Sequence, residues 1–208
     1  MANGGRIGSR NVPGVDGSSG VWTMQEIADA TRARVWPNTD LFADPLAAYT
    51  KYADVAGTWL PTAGELVATG GTADVLIRND VSVSDIAIEA DINYADDGGL
   101  VVRFIDNNNY YLVTISDDSG SNPTANIRIF KRVSGTFTQI GSSADISWTR
   151  GTSKTIRFQV TGTALSASVN GSVVTSGTDS AITGPGRVGL RNNGASKITK
   201  FQAFRWGI

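Results

Sequence analysis

The sequence predicts an all-β protein, an antiparallel β-sandwich over residues 59–208 preceded by an extended N-terminal arm, residues 1–58, that carries short helices. Three observations predict it. Apolar and polar residues alternate with period 2 in several runs beyond Trp59, and clusters of Gly, Asn, Asp and Pro separate those runs. The first 20 residues hold six glycines and little that is apolar beyond Ile7, Val12 and Val15, so they lose much backbone entropy on ordering with little burial to offset it. About a dozen short strands at this spacing form a two-layered antiparallel sandwich.

Each element follows from its residues. Thr23 is placed to cap a short helix with Glu26 three residues on, and Met24, Ile27 and Ala28 make its apolar stripe, which ends before Trp36-Pro37. A second short helix is expected over Pro45–Tyr52, with Asp44 as its cap and Pro45 in its first turn. Beyond the arm, Ile86, Ile88, Ala90 and Ile92 alternate with Asp85, Ala87, Glu89 and Asp91, and Ile156, Phe158 and Val160 alternate with Thr155, Arg157, Gln159 and Thr161. Leu165, Ala167 and Val169 do the same with Ser166 and Ser168, so each strand has one dry and one wet face. Asn170-Gly171 between Val169 and Ser172 reads as a type I′ hairpin turn.

Composition excludes much chemistry. Among 208 residues there is no cysteine and no histidine, which removes disulfides, thiolate and imidazole metal sites and the Ser-His-Asp triad. With 18 basic and 19 acidic side chains the formal charge is −1, which argues against nucleic acid as a partner. No apolar run is long enough to cross a membrane as a helix, and the first residues lack the apolar core of a secretion leader, so a soluble product with no membrane insertion is expected.

Four segments carry a family likeness: Ser84–Asp91, Gly98–Phe104 continuing to Asn109–Val113, Val169-Asn170-Gly171, and Gly186–Arg191 leading to Phe201 and Phe204. In this order they resemble the laminin-G-like or concanavalin A-like jelly-roll domains, including the lectin and glucanase family, over roughly 150 residues. The resemblance implies a jelly-roll sandwich and allows lectin, hydrolase, adhesion or spacer functions. A shorter segment, Gly20-Val21-Trp22 through Trp36-Pro37, is similar to a motif of tailed-bacteriophage virion proteins. That likeness implies a virion location, other virion proteins as partners and a homo-oligomer. Trp22, Met24, Ile27 and Trp36 are then the assembly anchors; the alternative is that the two tryptophans pack on their own sandwich.

Glu89 and Asp91 are the first candidates for glycosidase chemistry, since period 2 places both on one face and the glucanase resemblance implies acidic residues on alternate positions. A third carboxylate is wanted at position 93 or 94, where the chain has Asn93 and Tyr94, so no catalytic residue is expected. Glu89, Asp91, Arg103 and Arg157 share the wet parity and, with Tyr110 or Tyr111 to stack on a pyranose ring, are the candidate glycan-binding set; cross-strand ion pairing is the other reading. The loops with Asp96-Asp97, Asp106 to Asn109 and Asp117-Asp118 are oxygen-rich, but turn chemistry selects the same residues, so neither a metal nor a cofactor is expected. The functional expectation is a non-enzymatic virion structural protein, decorating a capsid or associated with a tail. The alternatives are a module that binds host-surface glycans and a divergent glycoside hydrolase.

Overall fold

The structure, a computed structural model, describes residues 37–40, 46, 48–62, 65–93, 97–116, 124–149 and 151–205, and every regular element among them is a strand. The expected anchors Trp22, Met24, Ile27 and Trp36, with the first expected helix, lie outside the described residues. In chain order the strands are β1 (Pro37–Asp40), β2 (Tyr49–Tyr52), β3 (Thr58–Thr62), β4 (Glu65–Val83), β5 (Ile86–Asn93), β6 (Gly98–Asp106) and β7 (Asn109–Ser116). They continue with β8 (Thr124–Val133), β9 (Thr136–Ser147), β10 (Ser153–Thr161), β11 (Ala164–Val169), β12 (Ser172–Thr178) and β13 (Gly186–Arg205).

All pairings are antiparallel, and two long strands divide the strands into layers. The first half of β13 pairs with β6 and with the second half of β4; its second half pairs with β5 and with the first half of β4. Sheet I runs β12-β11-β10-β5 to the second half of β13, and sheet II runs β9-β8-β7-β6 to the first half. Both long strands break register where they pass from one sheet to the other, at Asn192/Gly194 opposite Gly70-Gly71, the kind of kink that lets a strand turn a corner.

Between the sheets lies one large core. Sheet I contributes Ile86, Ile88, Ala90, Ile92, Ile156, Phe158, Val160, Leu165 and Ala167, the dry parity read from the sequence. Leu100, Val102, Tyr111, Val113, Ile115, Ile127, Ile129 and Leu190 face them from sheet II. Asn170 (φ 48°) and Gly171 (φ 82°) both take positive φ, as a type I′ turn between the paired Val169 and Ser172 requires.

Two expectations change. Tyr49–Tyr52 is a strand, not part of a helix: it pairs with Val75–Arg78 of β4 and buries Tyr49. The cap signals at Asp44 and Pro45 lie outside the described residues, and the aromatic and β-branched side chains of Tyr49, Thr50 and Tyr52 suit a sheet edge better than a short isolated helix. Because β1 and β2 pair with β13 and β4, the sheets take in residues ahead of the expected start at Trp59.

Candidate functional site

The residues expected to form one glycan-binding set are split three ways. Glu89, Asp91 and Arg157 do meet, on the outer face of sheet I: Arg157 lies 3.7 Å from Glu89, and Thr155 Oγ1 donates to Asp91 at 2.6 Å. Arg103 does not join them. It takes positive φ (47°) at a bulge where the β6–β7 register breaks, which reverses the parity of the strand and sends Phe104 outward. Its guanidinium is 1% exposed and donates to the carbonyls of Ser84, Ile182 and Gly162, each at 2.7 Å, and to Asp85 at 3.2 Å. Arg103 therefore clasps three chain segments together. The wet parity assigned to it from the sequence is corrected by the bulge.

Tyr110 and Tyr111 are neighbours on a strand and so point to opposite faces. Tyr111 enters the core between the sheets, donates to Asp179 at 2.8 Å and accepts from the Ile182 N–H at 2.9 Å. Burial, with the acceptor Asp179 beside it, pushes its hydroxyl up to about 12. Asp179 is itself pushed up by burial, but hydrogen bonds from Lys131, the Ala181 N–H and Tyr111 outweigh that and hold its carboxyl below the ordinary value. Tyr110 lies instead on the outer face of sheet II.

That outer face is apolar where an exposed sheet would be polar. Val75, Ile77, Val101, Phe104, Tyr110 and Leu112 form a second buried cluster, covered in part by Tyr52 and Phe130. Aromatic rings cross it: Tyr52 to Phe104 at 4.9 Å, Phe104 to Tyr110 at 5.5 Å and Tyr110 to Phe137 at 6.3 Å between centroids. Arginines lie over these rings, Arg187 on Phe104 at 5.2 Å and Arg132 on Phe137 at 4.9 Å. Asp54, from the segment after β2, accepts both bonds of a fork from Arg132 Nη2, at 2.8 and 2.9 Å. Burial works against the charge of Arg132, yet its bonds to Tyr110 and Asp54 hold the guanidinium above its ordinary value, while burial pushes the Tyr110 hydroxyl up.

Next to this cluster a cleft of about 150 Å³ opens, lined by Asp97, Leu112, Thr114, Arg128, Phe130, Phe137 and Arg191. The pairing explains its composition. Across sheet II, Arg191 of β13 is opposite Gly99 of β6, Gly99 is opposite Thr114 of β7, and Thr114 is opposite Arg128 of β8. A side chain at Gly99 would meet the Val113 carbonyl at 1.9 Å, so the space between Arg191 and Thr114 stays free of one. On the next row Leu112 is opposite Phe130, giving the cleft an apolar wall.

Its polar groups are only partly satisfied. Arg191 donates through Nη1 to Asp97 at 2.5 Å, and Asp97 accepts a second bond from Asn193 Nδ2 at 3.2 Å. Arg128 donates to Ser116 Oγ at 2.8 Å, and its guanidinium lies 5.5 Å from the Phe130 ring centre. Arg191 Nε and Thr114 Oγ1 are buried and have no hydrogen-bond partner among the described residues. An orphaned buried donor or hydroxyl costs about 1–3 kcal/mol unless water or a ligand meets it. Phe137, by contrast, is 41% exposed and offers a ring beside these groups.

None of Thr114, Arg128, Phe130, Phe137 and Arg191 was singled out from the sequence. Two signals were present. Leu100–Phe104 and Tyr110–Ile115 run almost continuously apolar instead of alternating, which marks strands covered on both faces. Arg128, Phe130 and Arg132 also recur at period 2 and so share a face.

No known family model matches this chain, and neither does any curated protein. Its fold does match solved structures. The carbohydrate binding module CBM66 from Bacillus subtilis aligns with a TM-score of 0.61 at 21% identity, over 74% of this chain and 94% of that one. A protein of unknown function with a galectin-like fold, also from Bacillus subtilis, aligns at 0.61 and 10% identity, over 80% and 94%. The kappa-carrageenase from Pseudoalteromonas carrageenovora aligns at 0.57 and 11% identity, over 83% and 93%. The chain has the concanavalin A-like jelly-roll fold, which is shared by carbohydrate-binding modules and glycoside hydrolases.

Proposed function

We propose that this chain is a glycan-binding module that holds a saccharide in the sheet II cleft and does not cleave it. The observation that carries the reading is the pairing of a half-exposed ring, Phe137, with buried and unpartnered polar atoms, Arg191 Nε and Thr114 Oγ1, in one cleft. A sugar presents both an apolar ring face and a rim of hydroxyls, so a stacking ring beside hydrogen-bonding groups suits it. Asp97 is the one carboxylate among the described residues lining the cleft, and it is engaged by Arg191 and Asn193. A glycosidase works with two carboxyl groups across the scissile bond, and Glu89 and Asp91 belong to the other sheet. A virion setting, proposed on the Trp22 to Trp36 likeness alone, would give such a module host-surface sugars to bind.

A glycan array followed by calorimetry on the best ligand tests this. Phe137→Ala is expected to weaken binding about tenfold, the equivalent of about 1.4 kcal/mol, while Glu89→Gln leaves it unchanged. Binding that depends on Glu89 and Arg157 but not on Phe137 would move the site to the outer face of sheet I. Release of reducing ends from the bound oligosaccharide would replace binding with hydrolysis.

A further inference from the structure

Resting on that reading, we infer that the cleft selects an acidic saccharide, one whose carboxylate or sulfate group is received by the unpaired Nε edge of Arg191. A guanidinium presents two flat edges, each matching the two oxygens of an anion. Asp97 occupies Nη1 of Arg191, while the edge that begins at Nε carries an N–H with no acceptor among the described residues. A sugar hydroxyl meets one such donor, whereas a carboxylate or sulfate meets both and brings the opposite charge.

The surroundings favour the same choice. Among the described residues that line the cleft, two carry guanidinium groups, Arg128 and Arg191, and one a carboxylate, Asp97, which already accepts from two donors. Thr114 Oγ1, from a residue 4% exposed, lies on the row between the two arginines and has a proton to donate to an anionic oxygen. Arg191 is itself 8% exposed, so its attraction for an anion is less screened by water and salt than that of a surface cation. Leu112 and Phe130 close one wall, and Phe137 gives the neutral part of the ring an apolar support.

The test uses the full chain and matched oligosaccharides: an oligogalacturonide, its methyl ester, and a sulfated and an unsulfated galactan oligosaccharide. The acid is expected to bind at least tenfold more tightly than the ester, and the galactan pair tells whether sulfate serves as well as carboxylate. Arg191→Gln should abolish the preference, and Arg191→Lys, which keeps the charge but not the flat edge, should retain only part of it. Comparing acid with ester on the unaltered chain needs no variant, so a misfolded mutant cannot obscure the answer. Equal binding of acid and ester through Phe137 would overturn the acidic preference and leave the glycan reading standing. Failure of all four probes together with binding of neutral glycans elsewhere on the array would overturn the preference as well, and failure of every glycan would overturn both.

Discussion

On the outer face of sheet I, Glu89, Asp91, Arg157 and Gln159 alternate with the buried Ile88, Ala90, Ile156 and Phe158. On the outer face of sheet II, Val75, Ile77, Val101, Tyr110 and Leu112 are as inaccessible as the residues between the sheets. The sheet I face satisfies itself through cross-strand contacts such as Thr155 to Asp91, at half-buried positions that solvent still reaches, where each contributes little. The sheet II face is dry enough that polar atoms without partners carry a cost, so a ligand that satisfies them gains more there. Burial, rather than the number of polar groups, marks the better binding surface.

The largest expected break in this comparison comes from the N-terminal strands. A chain beginning at residue 41 keeps β2, whose Tyr49 and Tyr52 pack on the core and on the second cluster, and keeps Asp54 on Arg132. A chain beginning at residue 59 loses all of these. Its thermal midpoint should fall by many degrees relative to the longer chain, with the loss concentrated on sheet II as read by hydrogen exchange. Equal stability would mean that the second cluster contributes nothing.

A single substitution asks the same question more narrowly. Leu112→Ala on the outer face of sheet II should cost about 2–5 kcal/mol in denaturant unfolding, the range for a buried leucine. Ser166→Ala on the outer face of sheet I should stay within about 0.5 kcal/mol. Similar costs at both positions would erase the difference between the faces.

The polar network of Tyr111, Asp179 and Lys131, which ties sheet II to the segment before β13, predicts a pH signature. Asp179 is held below its ordinary value, so its contribution is complete above the unfolded value near 3.8 and is lost as pH falls through the folded one. Tyr111 is pushed from 10.0 up to about 12, so its contribution is complete below pH 10 and is lost as pH rises towards 12. Urea midpoints measured across pH should decline on both sides, and Tyr111→Phe should flatten the alkaline limb while leaving the acid limb from other carboxylates. The smallest effect is expected at Glu89→Gln, which removes a 3.7 Å pair with Arg157 and should change unfolding by about 0–1 kcal/mol.

The period-2 alternation made the inward face of sheet I legible from the sequence: the dry parity at 86, 88, 90 and 92 and at 156, 158 and 160 is the parity observed, although Ala87 and Ser168, read on the wet face, are buried as well. The Asn170-Gly171 turn was legible for the same local reason, since positive φ at two adjacent positions leaves few residue choices. Sheet II was legible as strands but not as a two-sided layer. Its continuous apolar runs signalled cover on both faces, yet which segment provides that cover depends on β2 and Asp54 arriving from far along the chain.

By itself the sequence determined the all-β class, the inward face of sheet I, the hairpin between β11 and β12, and the absence of cysteine and histidine chemistry. These depend on backbone geometry and composition, which are local. Tertiary structure decided the rest. A positive φ at Arg103 reversed the parity of β6 and took that arginine out of the expected binding set. Register across four strands brought Arg191, Thr114 and Arg128 into line beside Phe137, although up to 77 residues separate them in the chain. Such a row is set by which strands become neighbours, and no local preference encodes that, because pairing free energy comes from contacts formed only once the sheets have closed.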